Sequence, residues 1–156
     1  GIDPGLSGAI AFLSAGGALF VVDIPTLQLS RNGKAKRLAD PAGLANIISA
    51  GIDHPGEAFV ERVNAMPGQG VTSVFSFGRT YGGILGGLAA LRIPVTEASP
   101  QAWKKALQVP ADKDGARARA SQIFPKYSSQ WSRVKDDGRA EAALIAEYGR
   151  RLMAAQ

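Results

Sequence analysis

Two short apolar runs stand close together at the start of the chain, GAIAFL and GALFVVDI, both rich in strand formers and separated by SAGG. That pattern predicts an antiparallel hairpin. The basic stretch after Leu29 leaves room for a short third strand, although its alternation is poor. In DPAGLANIISAG, Asp40 is placed to cap a helix, Pro41 suits its first position and Gly51 ends it. EAFVERV is a compact apolar strand that carries Glu61. From Val71 to Leu91 the apolar positions Phe75, Phe77, Tyr81, Ile84, Leu85 and Leu88 predict a helix. Gly78, Gly82, Gly83, Gly86 and Gly87 interrupt it, each costing about 1 kcal/mol relative to Ala. Close backbone approach, to a sheet or to a second subunit, is the expected reason for them.

IPVTEA reads as the next strand, and Ser99-Pro100 starts a helix through QAWKKAL. A further helix is expected over Lys113 to Phe124, then a polar connection, then a final helix from Asp137 to Ala154. Antiparallel strands followed by β-α alternation predict an α/β fold, a mixed sheet with helices on its faces. With no internal repeat, low-complexity tract or linker, residues 1–156 read as a single domain.

Composition narrows the setting. Hydrophobic residues make up 46% and charged residues 20%, and no run approaches the roughly 18 apolar residues of a membrane span, so no membrane partner is expected. The chain has no Cys, hence neither disulfides nor thiolate metal sites, and a cytoplasmic location is expected. No signal peptide is visible, and the opening inside a strand without Met leads us to expect residues before Gly1 in the natural protein. Net charge is +5, and the imbalance is local: between Gln101 and Lys135 eight basic residues face two acids. A phosphate-rich polymer is the natural partner of such a segment, with a solvated basic face as the alternative. Arg31, Lys34, Lys36 and Arg37 form a second basic cluster around the turn-forming Asn32-Gly33.

The acids fall at element ends. Asp3 lies in the opening GIDPG, Glu61 in the strand after the first helix, and Asp136, Asp137 and Glu141 at the start of the last helix. If the strands bearing Asp3 and Glu61 are neighbours, the two carboxylates can face each other. Positions 137 and 141 are one helical turn apart and share a face. Converging carboxylates repel unless a cation neutralises them, and hard oxygen ligands with no Cys and one His select Mg²⁺ or Mn²⁺ over Zn²⁺. Two such ions about 4 Å apart can activate a water and stabilise the leaving oxygen in phosphodiester cleavage. Simpler roles compete: Asp137 as a helix cap, Glu61 paired with Arg62, Asp3 shaping the turn at Pro4-Gly5. His54, in GIDHPG, reads as a loop residue, and Trp103 and Trp131 as packing residues.

Four blocks, GIDPGLSGAIAF, FVERV, MPGQGVTSVFSFG and DDGRAEAALIAEYGRR, resemble the signature blocks of RuvC-type Holliday junction resolvases of the phage and bacterial branch, in order and spacing across nearly the whole chain. The resemblance implies an RNase H-like fold, a homodimer, and Mg²⁺-dependent nicking of branched DNA such as four-way junctions, three-way junctions and flaps. It implies Asp3, Glu61, Asp137 and Glu141 as metal ligands, and it places Lys104 and Lys113 near the scissile phosphate. Bacterial enzymes of this type usually space the last two acids i to i+3 and end on Asp. Here the doublet precedes Glu141 by five and four residues, so Asp136 stays open as the alternative to Asp137. The basic helices after Ser99, with Lys104, Lys105, Lys113, Arg117 and Arg119, are expected to hold the DNA backbone. Competing readings are an RNase H-like nuclease acting on flaps, forks or RNA–DNA hybrids, and a non-enzymatic nucleic-acid-binding module. An actin-like ATPase shares the GIDxG opening but needs two lobes, for which this chain is too short.

Overall fold

The computed structural model describes residues 1–31, 34–51, 56–65 and 67–155; the Asn32-Gly33 turn and His54 lie outside the described residues. The first hairpin forms as its pattern predicts. β1 (Ala9–Leu13) and β2 (Leu19–Asp23) pair antiparallel, with Ala9 opposite Asp23 and Leu13 opposite Leu19. Their turn uses Gly17 at φ 85°, a left-handed conformation that glycine adopts without steric cost.

The centre of the sheet is the short segment that precedes β1. Ile2 bridges to Ile10 in antiparallel sense and to Val60 in parallel sense. Its N–H donates to Phe59 O at 2.8 Å and its carbonyl accepts from Glu61 N at 2.9 Å. These bridges join β1 and β2 to the parallel pair β5 (Ala58–Glu61) and β6 (Val95–Ala98). The result is one mixed sheet in the order β2, β1, the Ile2 segment, β5, β6.

Alternation along these strands builds a core on each face. Ala9, Ala11 and Phe59 point to one side, with Trp103, Trp131 and Leu144. Ile10, Ala58 and Val60 point to the other, with Ile48, Ile84 and Leu88. Both tryptophans are buried packing residues, as expected.

The basic stretch after Ile24 differs from expectation. It is a hairpin of its own, β3 (Thr26–Arg31) with β4 (Lys34–Ala39), in place of a single short strand. Leu27 and Leu29 alternate with polar residues but stay exposed, so the ribbon buries neither face, and β4 carries no apolar alternation to read.

Helix α1 (Pro41–Ala50) is capped by Asp40, whose Oδ1 accepts from Ala42 N at 3.1 Å. α2 (Val71–Ala90) turns Thr80, Ile84 and Leu88 inward, whereas a Cβ at Gly78, Gly82, Gly83, Gly86 or Gly87 would meet nothing within 4 Å. Those glycines therefore do not back onto the protein's own sheet. α3 (Pro100–Ala106) and α4 (Gly115–Ile123) follow, and the polar connection winds into 3-10 turns at Pro125–Trp131 and Val134–Asp136. α5 (Asp137–Ala154) has the bounds its pattern predicts and lies across β1, β2 and β5, with Ala142 to Ala146 buried. Among the described residues no helix is long and apolar enough to cross a membrane.

Candidate functional site

The Ile2 segment ends at Asp3, whose N–H still donates to Ala9 O at 3.0 Å. Its Oδ1 accepts from Gly5 N at 3.1 Å, so the side chain does shape the Pro4-Gly5 turn. That bond occupies one of its oxygens. The first turn of α5 settles directly over the residue because position 138 is glycine: a Cβ there would lie 2.4 Å from Ser7 O and 2.8 Å from Asp3 Oδ2.

Glu61 ends the neighbouring strand, half-buried. Its Oε1 accepts from Trp103 Nε1 at 3.1 Å, and because Trp103 is fully buried in the core the direction of that bond is fixed. Glu141, one turn into α5, pairs with Lys104 Nζ at 2.9 Å. The same ammonium stands 5.0 Å from the Trp103 ring centroid, a cation–π arrangement.

These groups share one electrostatic field. The Asp3 carboxyl is pushed up to about 7, chiefly by burial; Glu141 and Glu61 push it further, and the Gly5 N–H and Lys104 oppose them. Glu61 is raised too, by burial and then by Glu141, with the Trp103 N–H and Lys104 resisting. One ammonium therefore does not offset three acids in a poorly hydrated place. The donors are all hard oxygens, the chemistry of Mg²⁺ or Mn²⁺, and a divalent cation would relieve the excess negative charge. As the side chains stand, no group of three or more His, Cys, Asp or Glu among the described residues is placed to hold a metal ion.

The acid doublet faces elsewhere. Asp136 is buried and clamps Arg133, which donates from Nε and Nη2 at 2.9 Å each and from its backbone N–H at 3.3 Å. Asp137 Oδ1 lies 2.7 Å from Arg117 Nε, a close ion pair without hydrogen-bond alignment. Arg117 also pairs with Asp114. The structure thus brings Asp3, Glu61, Glu141 and Lys104 together, while Asp137 is turned to Arg117 and Asp136 to Arg133.

The basic residues divide in the same way. Arg119 donates from Nε to Leu107 O at 2.6 Å and from Nη1 to Gln122 Oε1 at 2.8 Å, holding the end of α3. With Arg117 engaged by acids, both guanidinium groups do internal work. Lys105 and Lys113 are exposed and form no ion pair among the described residues.

Sequence reasoning missed two contributors. Trp103 reads as packing, and its polar edge acquires a role only because β5 lies beside α3. Gly138 is a small residue between two acids, and nothing local says what it must admit. A cleft of about 980 Å³ is lined by apolar groups such as Phe12, Leu13, Phe59 and Met153; Asp3, Glu61 and Glu141 are not among its lining residues. No protein-family model matches the chain, and a search of curated proteins finds no match either.

Proposed function

We propose that the protein is an endonuclease of RNase H-like fold, related to the RuvC-type resolvases, which cuts branched DNA by phosphodiester hydrolysis. The observation that carries this reading is Asp3, set at the end of the central segment between Glu61 and Glu141 with its carboxyl held near 7. A sheet in which an antiparallel hairpin lies on one side of the Asp3 segment and parallel strands on the other supports the RNase H-like fold.

Asp3, Glu61 and Glu141 would hold Mg²⁺, with Asp137 as a further ligand if it leaves Arg117. Bound there, the ion would supply positive charge to activate water and to stabilise the leaving oxygen. The protein's own groups do the rest. Trp103 keeps one Glu61 oxygen directed by its N–H. Lys104, on leaving Glu141, offsets charge on the phosphate. Lys105 and Lys113 hold the backbone on either side, so binding weakens steeply with salt. A four-way junction needs two matched nicks, which a C₂ homodimer would deliver.

The test is cleavage of matched four-way, three-way, flap, linear and RNA–DNA hybrid substrates with Mg²⁺ or Mn²⁺, with cut positions mapped. Paired cuts at the branch are expected, and Asp3→Asn should remove them. Cuts confined to flaps, forks or hybrids would change the substrate. No cleavage of any substrate with either ion would overturn the nuclease reading.

A further inference from the structure

The second basic cluster has no part in the site above, yet the fold brings it alongside. β4 is an edge strand of the ribbon, and beside it the first turns of α2 enclose a cleft of about 370 Å³. Its lining includes Lys36 and Arg37 from β4, the hydroxyl residues Thr72, Ser73 and Ser76 from α2, and the Phe77 ring. No acid lines it, and among the described residues neither Lys36 nor Arg37 forms an ion pair. Two exposed cations kept without a counter-ion beside three hydroxyls make a site for an anion whose oxygens accept hydrogen bonds.

The cleft is also connected to Asp3. Arg37 Nη2 donates to Ser7 Oγ at 3.0 Å, and Leu6, from the same Pro4-to-Gly8 turn, forms part of the cleft wall. A polymer bound there runs toward the carboxylates. A positive groove bordered by an aromatic ring is the usual means of holding a nucleic-acid strand, with phosphates on the cations and a base against the ring.

We infer that the cleft between β4 and α2 is a strand-binding subsite, in which Lys36 and Arg37 hold the phosphodiester backbone of a DNA strand and Phe77 supports a base. This deepens the nuclease reading and rests on it for the identity of the polymer, but its readout is binding alone.

The test uses the full chain in EDTA, where hydrolysis is silent. Binding of a labelled single strand and of a four-way junction is followed by anisotropy across a range of KCl. Lys36→Gln/Arg37→Gln should weaken binding at least tenfold at 0.1 M salt and flatten the plot of log K against log[KCl] by about 1.4 to 1.8, the release expected for two phosphates. Because the chain has no Cys, Ser73→Cys carrying a photoactivatable azide places a unique probe in the cleft. It should cross-link to the strand, whereas the same probe at Ala155→Cys, beyond the far end of α5, should not. An unchanged salt slope, equal cross-linking from both positions, or displacement of the strand by inorganic phosphate at matched ionic strength would overturn the subsite. Loss of slope and selective cross-linking in a protein that cuts nothing would leave the subsite standing and remove the nuclease.

Discussion

Asp3 sits where its own ionisation opposes folding. Its carboxyl rises from an ordinary 3.8 to about 7 in the folded protein, so between those values the native state holds more protons than the unfolded chain. The Asp3 contribution to stability should therefore fall as pH climbs through that window and level off above it, with Glu61 acting in the same sense and the buried Gly1 amine, lowered to about 5, acting in the opposite one. The acids stabilised by arginines, Asp23, Asp136 and Glu147, are lowered and affect only more acidic solutions. In metal-free buffer the melting temperature of Asp3→Asn should rise relative to that of the unmodified protein between pH 5.5 and pH 8, a difference in which the Gly1 amine cancels. Asp3→Asn should be more stable than the unmodified protein at pH 8, and Mg²⁺ should raise the melting temperature of the unmodified protein alone. Matching pH profiles for variant and parent would refute this account of Asp3. Trp103→Phe tests the neighbouring contact: it keeps most of the packing and removes the N–H to Glu61. We expect a stability loss of about 1 kcal/mol in urea titration and at least a tenfold fall in cleavage rate.

At the scale of elements, the start of α5 decides how the acids are presented. Gly138→Ala would press a methyl group onto the backbone at Ser7 and Gly8 and onto the Asp3 carboxylate. Backbone cannot step aside as a flexible side chain can, so a loss of about 1–3 kcal/mol is expected, with cleavage falling further than stability alone explains. The doublet separates into two roles on the same helix turn. Asp136→Asn should lower the melting temperature, because it breaks a buried clamp on Arg133. Asp137→Asn should leave folding nearly intact and reduce cleavage, since its carboxylate is partly exposed and stands beside Gly138. A larger loss of cleavage for Asp136→Asn would reverse that assignment.

For the whole molecule, the open glycines of α2 bear on assembly. Gly78, Gly82 and Gly86 recur every four residues along one stripe, and the space beside each is empty in the single chain. Two such helices could pack with their backbones close, which is the arrangement a C₂ nuclease dimer would use. Sedimentation should give a dimer at micromolar concentration, and Gly82→Leu/Gly86→Leu should give a folded monomer that no longer makes paired cuts. A monomer in the unmodified protein, with and without junction DNA, would count against this.

Local pattern determined much of this protein. The β1–β2 hairpin, α1 with its Asp40 cap, α2 and the bounds of α5 all follow from periodicity and end signals, because those elements each bury one face and the burial leaves a repeat in the residues. Their place at element ends named Asp3, Glu61, Asp137 and Glu141 as candidates, and the family resemblance added Lys104. What the sequence did not determine depends on neighbours distant along the chain. The β3–β4 ribbon buries neither face, so its alternation stops at Leu27 and Leu29 and β4 carries none. Asp137 was expected beside Glu141, with Asp136 as its alternative; instead Arg117, twenty residues earlier, holds Asp137, the local Arg133 holds Asp136, and only Glu141, paired with Lys104, stands with Asp3. Side-chain partners separated by twenty or more residues are chosen by packing, since an ion pair or hydrogen bond depends on distances of a few ångströms that only the folded chain sets.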